Sequence, residues 1–205
     1  FLTRVHAAEA LEGIEGAEVA SALLAASGDT SAHVRAAAIS SLLSARSLEA
    51  MARARELWER DTSYTVRAAA LATLARLDQA NSTALVGAAL KTPSYQDAIA
   101  DAALGVIAQS NDTTMMDEVD RAGATSGKAA FVLGGFAARG NSRALELLSR
   151  HVASPRATVR KRALQAFQYV VPPQVARDRL TALAAGTPVP RLRSEIQATI
   201  DRLKS

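Results

Sequence analysis

The chain repeats itself with a period close to 32 residues, and a period of that length restricts the possible folds more than any composition does. Residues 29–42 read Asp-Thr-Ser-Ala-His-Val-Arg-Ala-Ala-Ala-Ile-Ser-Ser-Leu, and residues 61–74 read Asp-Thr-Ser-Tyr-Thr-Val-Arg-Ala-Ala-Ala-Leu-Ala-Thr-Leu, identical at most positions. A third copy opens at Ser154-Pro155 and carries Val159-Arg160, and a fourth opens at Thr187-Pro188 and carries Leu192-Arg193. Weaker copies are anchored at Thr3-Arg4, Ile99-Ala100 and Gly127-Lys128, so that the anchors step by 31, 32, 33, 28, 32 and 33 residues. Seven units therefore fill the chain.

Apolar residues follow each anchor at spacings of three, four and five, the stripe of an amphipathic helix and not the alternation of a strand. A second helical stretch lies between anchors, at about residues 17–27, 47–59, 81–90, 113–122, 141–152 and 174–185. Turn residues such as Gly28-Asp29, Asp61-Thr-Ser63 and Gly186-Thr-Pro188 separate the helices, with Asp, Ser and Thr placed to accept from free amides and Pro suited to a first helical turn. Gly134-Gly135 and Gly140 predict a flexible or irregular turn within 123–140. Alanine supplies 46 of the 205 residues and aromatics only 4%, so the core is expected to close by near approach of helices through small side chains. Cysteine is absent, which excludes disulfides, thiolate nucleophiles and thiolate metal sites. No apolar run is long enough to span a bilayer and no signal segment opens the chain, so it reads as soluble.

The Asp-x-x-x-x-Val-Arg-x-x-Ala-Ala-x-x-Leu unit resembles the short HEAT-like repeats also known from phycobilisome lyases. That resemblance implies an all-α, right-handed α-solenoid of about seven helical repeats, a single domain over 1–205 in which each pair is stable only against its neighbours. The order of the units has a narrower likeness. Asp61-Thr-Ser-Tyr64 with its Val-Arg-Ala-Ala-Ala run, then Pro93-Ser-Tyr-Gln-Asp-Ala-Ile99-Ala-Asp-Ala-Ala-Leu104, then the basic closing helix Leu192-Arg-Ser-Glu-Ile196 to Leu203, resemble the C-terminal HEAT-like region of bacterial M1-family zinc aminopeptidases. On that likeness the chain is the C-terminal part of a longer protein, non-catalytic in itself. It packs against the catalytic domain, limits access to its cavity, and works in the bacterial cytoplasm or periplasm. Zinc then belongs to the parent and lies upstream of Phe1.

The residues agree that catalysis is not carried here. His6, His33 and His151 never form His-Glu-x-x-His, and no two stand at i, i+4. There is no Gly-x-Ser-x-Gly and no phosphate loop; Gly123-Ala-Thr-Ser-Gly-Lys128 lacks the required spacing. No catalytic, cofactor-binding or metal-binding residue is therefore assigned. Recurrence of one Arg per unit predicts a structural ladder of Arg35, Arg67, Arg160 and Arg193 with Asp29 and Asp61, which stand six residues before Arg35 and Arg67 and can pair with the guanidiniums as an Asp–Arg brace between units. Arg is suited to a partly buried brace because its planar fork serves several acceptors. Trp58, Tyr64 and Tyr95 are expected to seal turns.

Charge is uneven: residues 151–205 hold 10 Lys/Arg against 3 Asp/Glu, while residues 1–150 hold 14 against 17. Arg156, Lys161, Arg162 and Arg191 form the candidate interaction surface in that basic quarter. The expected partner is an upstream domain of the same chain or another protein, which leaves a free-standing protein-interaction scaffold as the alternative. Nucleic acid is disfavoured because stacking aromatics are scarce there, and no membrane partner is expected.

Overall fold

The computed structural model describes residues 1–110, 112–123 and 128–203, and among these every long element is an α-helix. In chain order they are α1 (Leu2–Ala10), α2 (Ala17–Ala26), α3 (Ala32–Ser41), α4 (Leu48–Arg60), α5 (Tyr64–Leu77), α6 (Ser82–Leu90), α7 (Ala98–Gln109), α8 (Met116–Gly123), α9 (Lys128–Ala138), α10 (Ser142–Val152), α11 (Ala157–Ala166), α12 (Pro173–Gly186) and α13 (Pro190–Arg202). The described anchors all fall in odd-numbered helices, and the six intervening stretches are the even-numbered ones. The Gly127 anchor and Lys204 lie outside the described residues. The fold is an all-α solenoid of helical repeats, divided into two compact units, Phe1–Val106 and Ile107–Ser205.

In the first unit α3 is stacked between α1 and α5, while α2 packs on α3 and α4, and α4 and α6 pack on α5. The repeat explains this stacking residue by residue. Val34, Ala38, Ile39 and Leu42 of one layer, and Val66, Ala70, Leu71 and Leu74 of the next, are all at most 1% exposed. Each pair is separated by one period, so the same stripe is buried twice. Every Val, Leu or Ile so buried contributes about 1.5–3 kcal/mol, which no isolated hairpin of this size could recover. Ala38, Ala54 and Ala70 are fully buried and let the helix axes approach. Between layers the Thr73 hydroxyl donates to the Ile39 carbonyl at 3.1 Å.

In the second unit α9 lies against α8, α10 and α11, and α13 against α11 and α12. Val159, Ala163, Phe136 and Phe167 fill its core. Gly134 and Gly135, expected in an irregular turn, instead stand inside α9. The reason is close packing: a Cβ on Gly134 would come 3.0 Å from both the Cβ and the carbonyl oxygen of Ala166. Among the described residues of 123–140 the turn is made at Gly140, at φ 85°, where only glycine is unstrained; residues 124–127 lie outside the described residues. Asn141 N–H donates to Phe136 O at 3.1 Å and Gly140 N–H to Ala137 O at 2.9 Å, the paired bonds of a Schellman helix end. Asn141 then caps α10 by accepting from Ala144 N–H at 2.9 Å. The fourth anchor also departs from expectation: Leu192 is half-buried, and Ile196 and Ile200 carry the burial of α13.

Candidate interaction surface

Arg4 and Arg35 are held in a repeating way by the expected braces between units, but the carboxylate each takes is that of the following unit and not the one six residues before it. Asp29 does not take Arg35. It accepts from Arg4 of the preceding unit at 2.8 Å, and Asp61 accepts from Arg35 at 2.8 and 2.9 Å through both carboxylate oxygens. Each Asp is turned that way because its Oδ1 also accepts from the amide two residues on, Ser31 or Ser63, at 2.8 Å. Across the six-residue spacing the guanidinium reaches a carbonyl instead: Arg35 donates to Asp29 O at 2.9 Å, and also to Thr30 O at 3.2 Å. Arg160 donates likewise to Ser154 O at 3.0 Å and Pro155 O at 3.1 Å, and Arg193 to Thr187 O at 2.9 Å.

Where the next unit lacks Asp, the inter-unit link changes. Ser94 stands five residues before the Ile99 anchor, where Asp61 stands before Val66, and Arg67 meets no carboxylate among the described residues; it donates to Trp58 O at 2.9 Å and lies 5.1 Å from the Trp58 ring centre. Arg160 meets Glu195 at 3.4 Å. Trp58 is buried beside its turn, but Tyr64 and Tyr95, expected to seal turns as well, are 39% and 72% exposed.

The braces fix carboxylate ionisation. The Arg4 guanidinium and the Ser31 amide hold the Asp29 carboxyl below the usual carboxylate range. For Asp61, burial opposes ionisation, yet bonds from Arg35 and the Ser63 amide outweigh it and the carboxyl again titrates low. A depressed folded-state pKa gives stability that is complete above the unfolded value, about 3.9, and is lost as pH falls below it. The urea midpoint should therefore fall between pH 5 and pH 3, and Asp61→Asn should fall less over that interval. Equal falls would separate Asp61 from the acid response.

A second set of contacts links even-numbered helices and went unforeseen. Arg53 of α4 donates to Ser27 Oγ and Ser27 O, both at 2.8 Å, at the end of α2. Arg179 of α12 donates to Ser149 Oγ of α10 at 2.8 Å, and His151 of α10 lies 2.9 Å from Asp120 of α8. Ser27 and Ser149 are buried. A Ser near the end of one even helix and an Arg in the next was the available signal. His6 sits beside Glu9 at 3.2 Å, and His33 stacks against Phe1. Among the described residues no three His, Cys, Asp or Glu side chains are grouped as metal ligands.

The basic quarter is partly committed to structure. Arg191 reaches Glu195 at 3.3 Å, and Arg162 lies 5.7 Å from the ring centre of Phe131, which meets Tyr169 edge-on. Arg156 and Lys161 are exposed. Arg156, Lys161 and Arg162 share α11 and its cap, while Arg191 lies on α13.

An open feature of the first unit lies at the edge opposite the Asp turns, where odd helices end and even helices begin. It is a cleft of about 750 Å³ crossing three successive connections, from Glu12-Gly13 through Leu43–Met51 to Arg76–Gln79. Leu48 is 76% exposed beside it, and a second hollow of about 390 Å³ continues from Leu48 and Met51 along α4. Arg46 and Arg76 are exposed on its rim.

Stacked helices, repeated braces and an open groove define a helical-repeat protein. The family model for HEAT repeats matches residues 2–75, the part in which the repeat is sharpest. No curated protein sequence matches the chain. Among solved structures, human deoxyhypusine hydroxylase in complex with glycerol is similar at 16% identity and a TM-score of 0.43, covering 99% of this chain and 80% of that one. A computationally designed armadillo repeat protein for modular peptide recognition is similar at 19% identity and a TM-score of 0.32, covering 90% and 82%. Among the described residues no helix is long and apolar enough to cross a membrane.

Proposed function

We propose that this chain is a non-catalytic helical-repeat scaffold that holds a protein segment against the connection edge of its first unit. The observation that supports this reading is the cleft itself: Leu48 and Met51 line it beside exposed Arg46 and Arg76, whereas Arg35 and Arg53 are bound up within the stack. Exposed apolar side chains rimmed by polar groups mark interaction sites. A photo-crosslinking residue at Leu48, introduced into the protein in its own cell, should yield a discrete protein adduct that the same residue at Thr30, on the opposite edge, does not. No adduct from Leu48, or equal yields from both positions, would count against the scaffold.

In a narrower form the held segment is an upstream zinc-aminopeptidase domain of the same polypeptide, which the array covers so as to limit access to its cavity. Its support is the residue pattern at 61–71, 93–104 and 192–203, and the HEAT-repeat match fits the free scaffold equally well. An upstream sequence without His-Glu-x-x-His would sink that form and leave the scaffold standing. The basic residues of the second unit give less support to nucleic-acid binding, because Arg160, Arg179 and Arg193 are engaged with carbonyls or hydroxyls of the stack.

A further inference from the structure

We infer that the cleft of the first unit accepts a short acidic peptide segment with interspersed apolar side chains, its carboxylates taken by Arg46 and Arg76 and its apolar groups by Leu48 and Met51. This rests on the scaffold reading and adds the chemistry of what is held. The lining supplies both halves of the recognition: Leu43, Leu48, Met51 and Leu77 are apolar, Arg46 and Arg76 are cationic, and Glu12 is the one acidic residue among them.

The two cations differ from their neighbours in being uncommitted. On the adjoining face of α4, Arg53 is paired with Glu56 at 2.6 Å and Arg55 with Asp78 at 2.8 Å, while Arg46 and Arg76 make no ion pair among the described residues. Arg46 is also held in an unusual place. It adopts a left-handed backbone, φ 44° and ψ 32°, between the turn Leu42–Ala45 and α4, a conformation uncommon outside glycine. The next residue, Ser47, caps α4 by accepting from Ala50 N–H at 3.1 Å, so the positive end of that helix dipole adjoins the cleft.

Length favours a peptide. Three connections one helix layer apart span roughly 20 Å, which an extended chain covers in about six residues. No aromatic residue lines the cleft, so it offers no platform on which nucleic-acid bases could stack. Guanidiniums bind carboxylates through paired, charge-assisted hydrogen bonds, and the apolar floor between them selects against a purely ionic ligand.

A randomised 12-residue peptide display library selected on the full chain tests this. Selected sequences should be enriched in Asp and Glu interleaved with Leu, Met or Phe, should bind at least about tenfold more weakly to the Arg46→Glu/Arg76→Glu variant, and should weaken as salt rises. Circular dichroism of the variant, unchanged from the parent, verifies folding; both residues are exposed. Three outcomes overturn the inference: no peptide selected, selected peptides without acidic enrichment, or acidic peptides indifferent to the double variant. Peptides that lack acidic residues but lose binding on Leu48→Lys would overturn the acidic class alone and leave the scaffold reading intact. Loss of the Leu48 crosslink in cells would remove both.

Discussion

Arg35→Ala lowers the unfolding free energy by about 3 kcal/mol, the cost of leaving one partner of a buried ion pair alone. Asp61 is the reason. Its side chain is 5% exposed and that of Arg35 16%, so removing the guanidinium strands a carboxylate that water cannot reach and also frees the carbonyls of Asp29 and Thr30. The companion substitution Arg4→Ala is expected to cost much less than Arg35→Ala, because Arg4 is 55% exposed and the solvent screens its bond to Asp29. Urea titrations of both variants provide the comparison. The double variant Arg35→Met/Asp61→Leu should lie closer to the parent than Arg35→Ala does, since no unpaired charge remains. Equal losses for Arg35→Ala and Arg4→Ala would mean that burial does not set the strength of the ladder.

Gly134→Ala destabilises the second unit by about 2 kcal/mol through overpacking, although alanine is the better helix former. The added methyl would meet the Ala166 backbone and Cβ at 3.0 Å, and neither is the flexible tip of a side chain that could swing aside. Gly135→Ala is the internal control. Nothing lies within 4 Å of its new Cβ, so intrinsic propensity should prevail and raise stability by about 0.5–1 kcal/mol. Thermal melts of the two neighbouring variants should move in opposite directions. A rise for both would show that α9 and α11 can separate without loss.

The helices were legible because a repeat reports the same burial several times over. Val34, Val66 and Val159 recur at one place in the period and all are at most 1% exposed. The partners of the arginines were less legible, since sequence spacing ranks near residues first whereas the stack brings Asp61 to Arg35 across 26 positions. Gly134-Gly135 misled for a related reason: two glycines in sequence signal a turn, and only the presence of Ala166 on the facing helix explains one of them in α9. The cleft had no signal of its own. Its residues come from three connections that share no motif, and the candidate surface drawn from charge alone, Arg156, Lys161, Arg162 and Arg191, fell on the other unit, where Arg162 is laid over Phe131 and Arg191 over Glu195.

Because Arg4 and Arg35 each reach forward to the carboxylate of the following repeat, the early rungs of the ladder work as a string of handclasps. The first two clasps, Arg4 to Asp29 and Arg35 to Asp61, are closed; the third hand, Arg67, meets no carboxylate among the described residues and turns back onto Trp58. Cohesion between the early repeats thus draws on charge as well as burial, whereas Arg67 spends its guanidinium on α4.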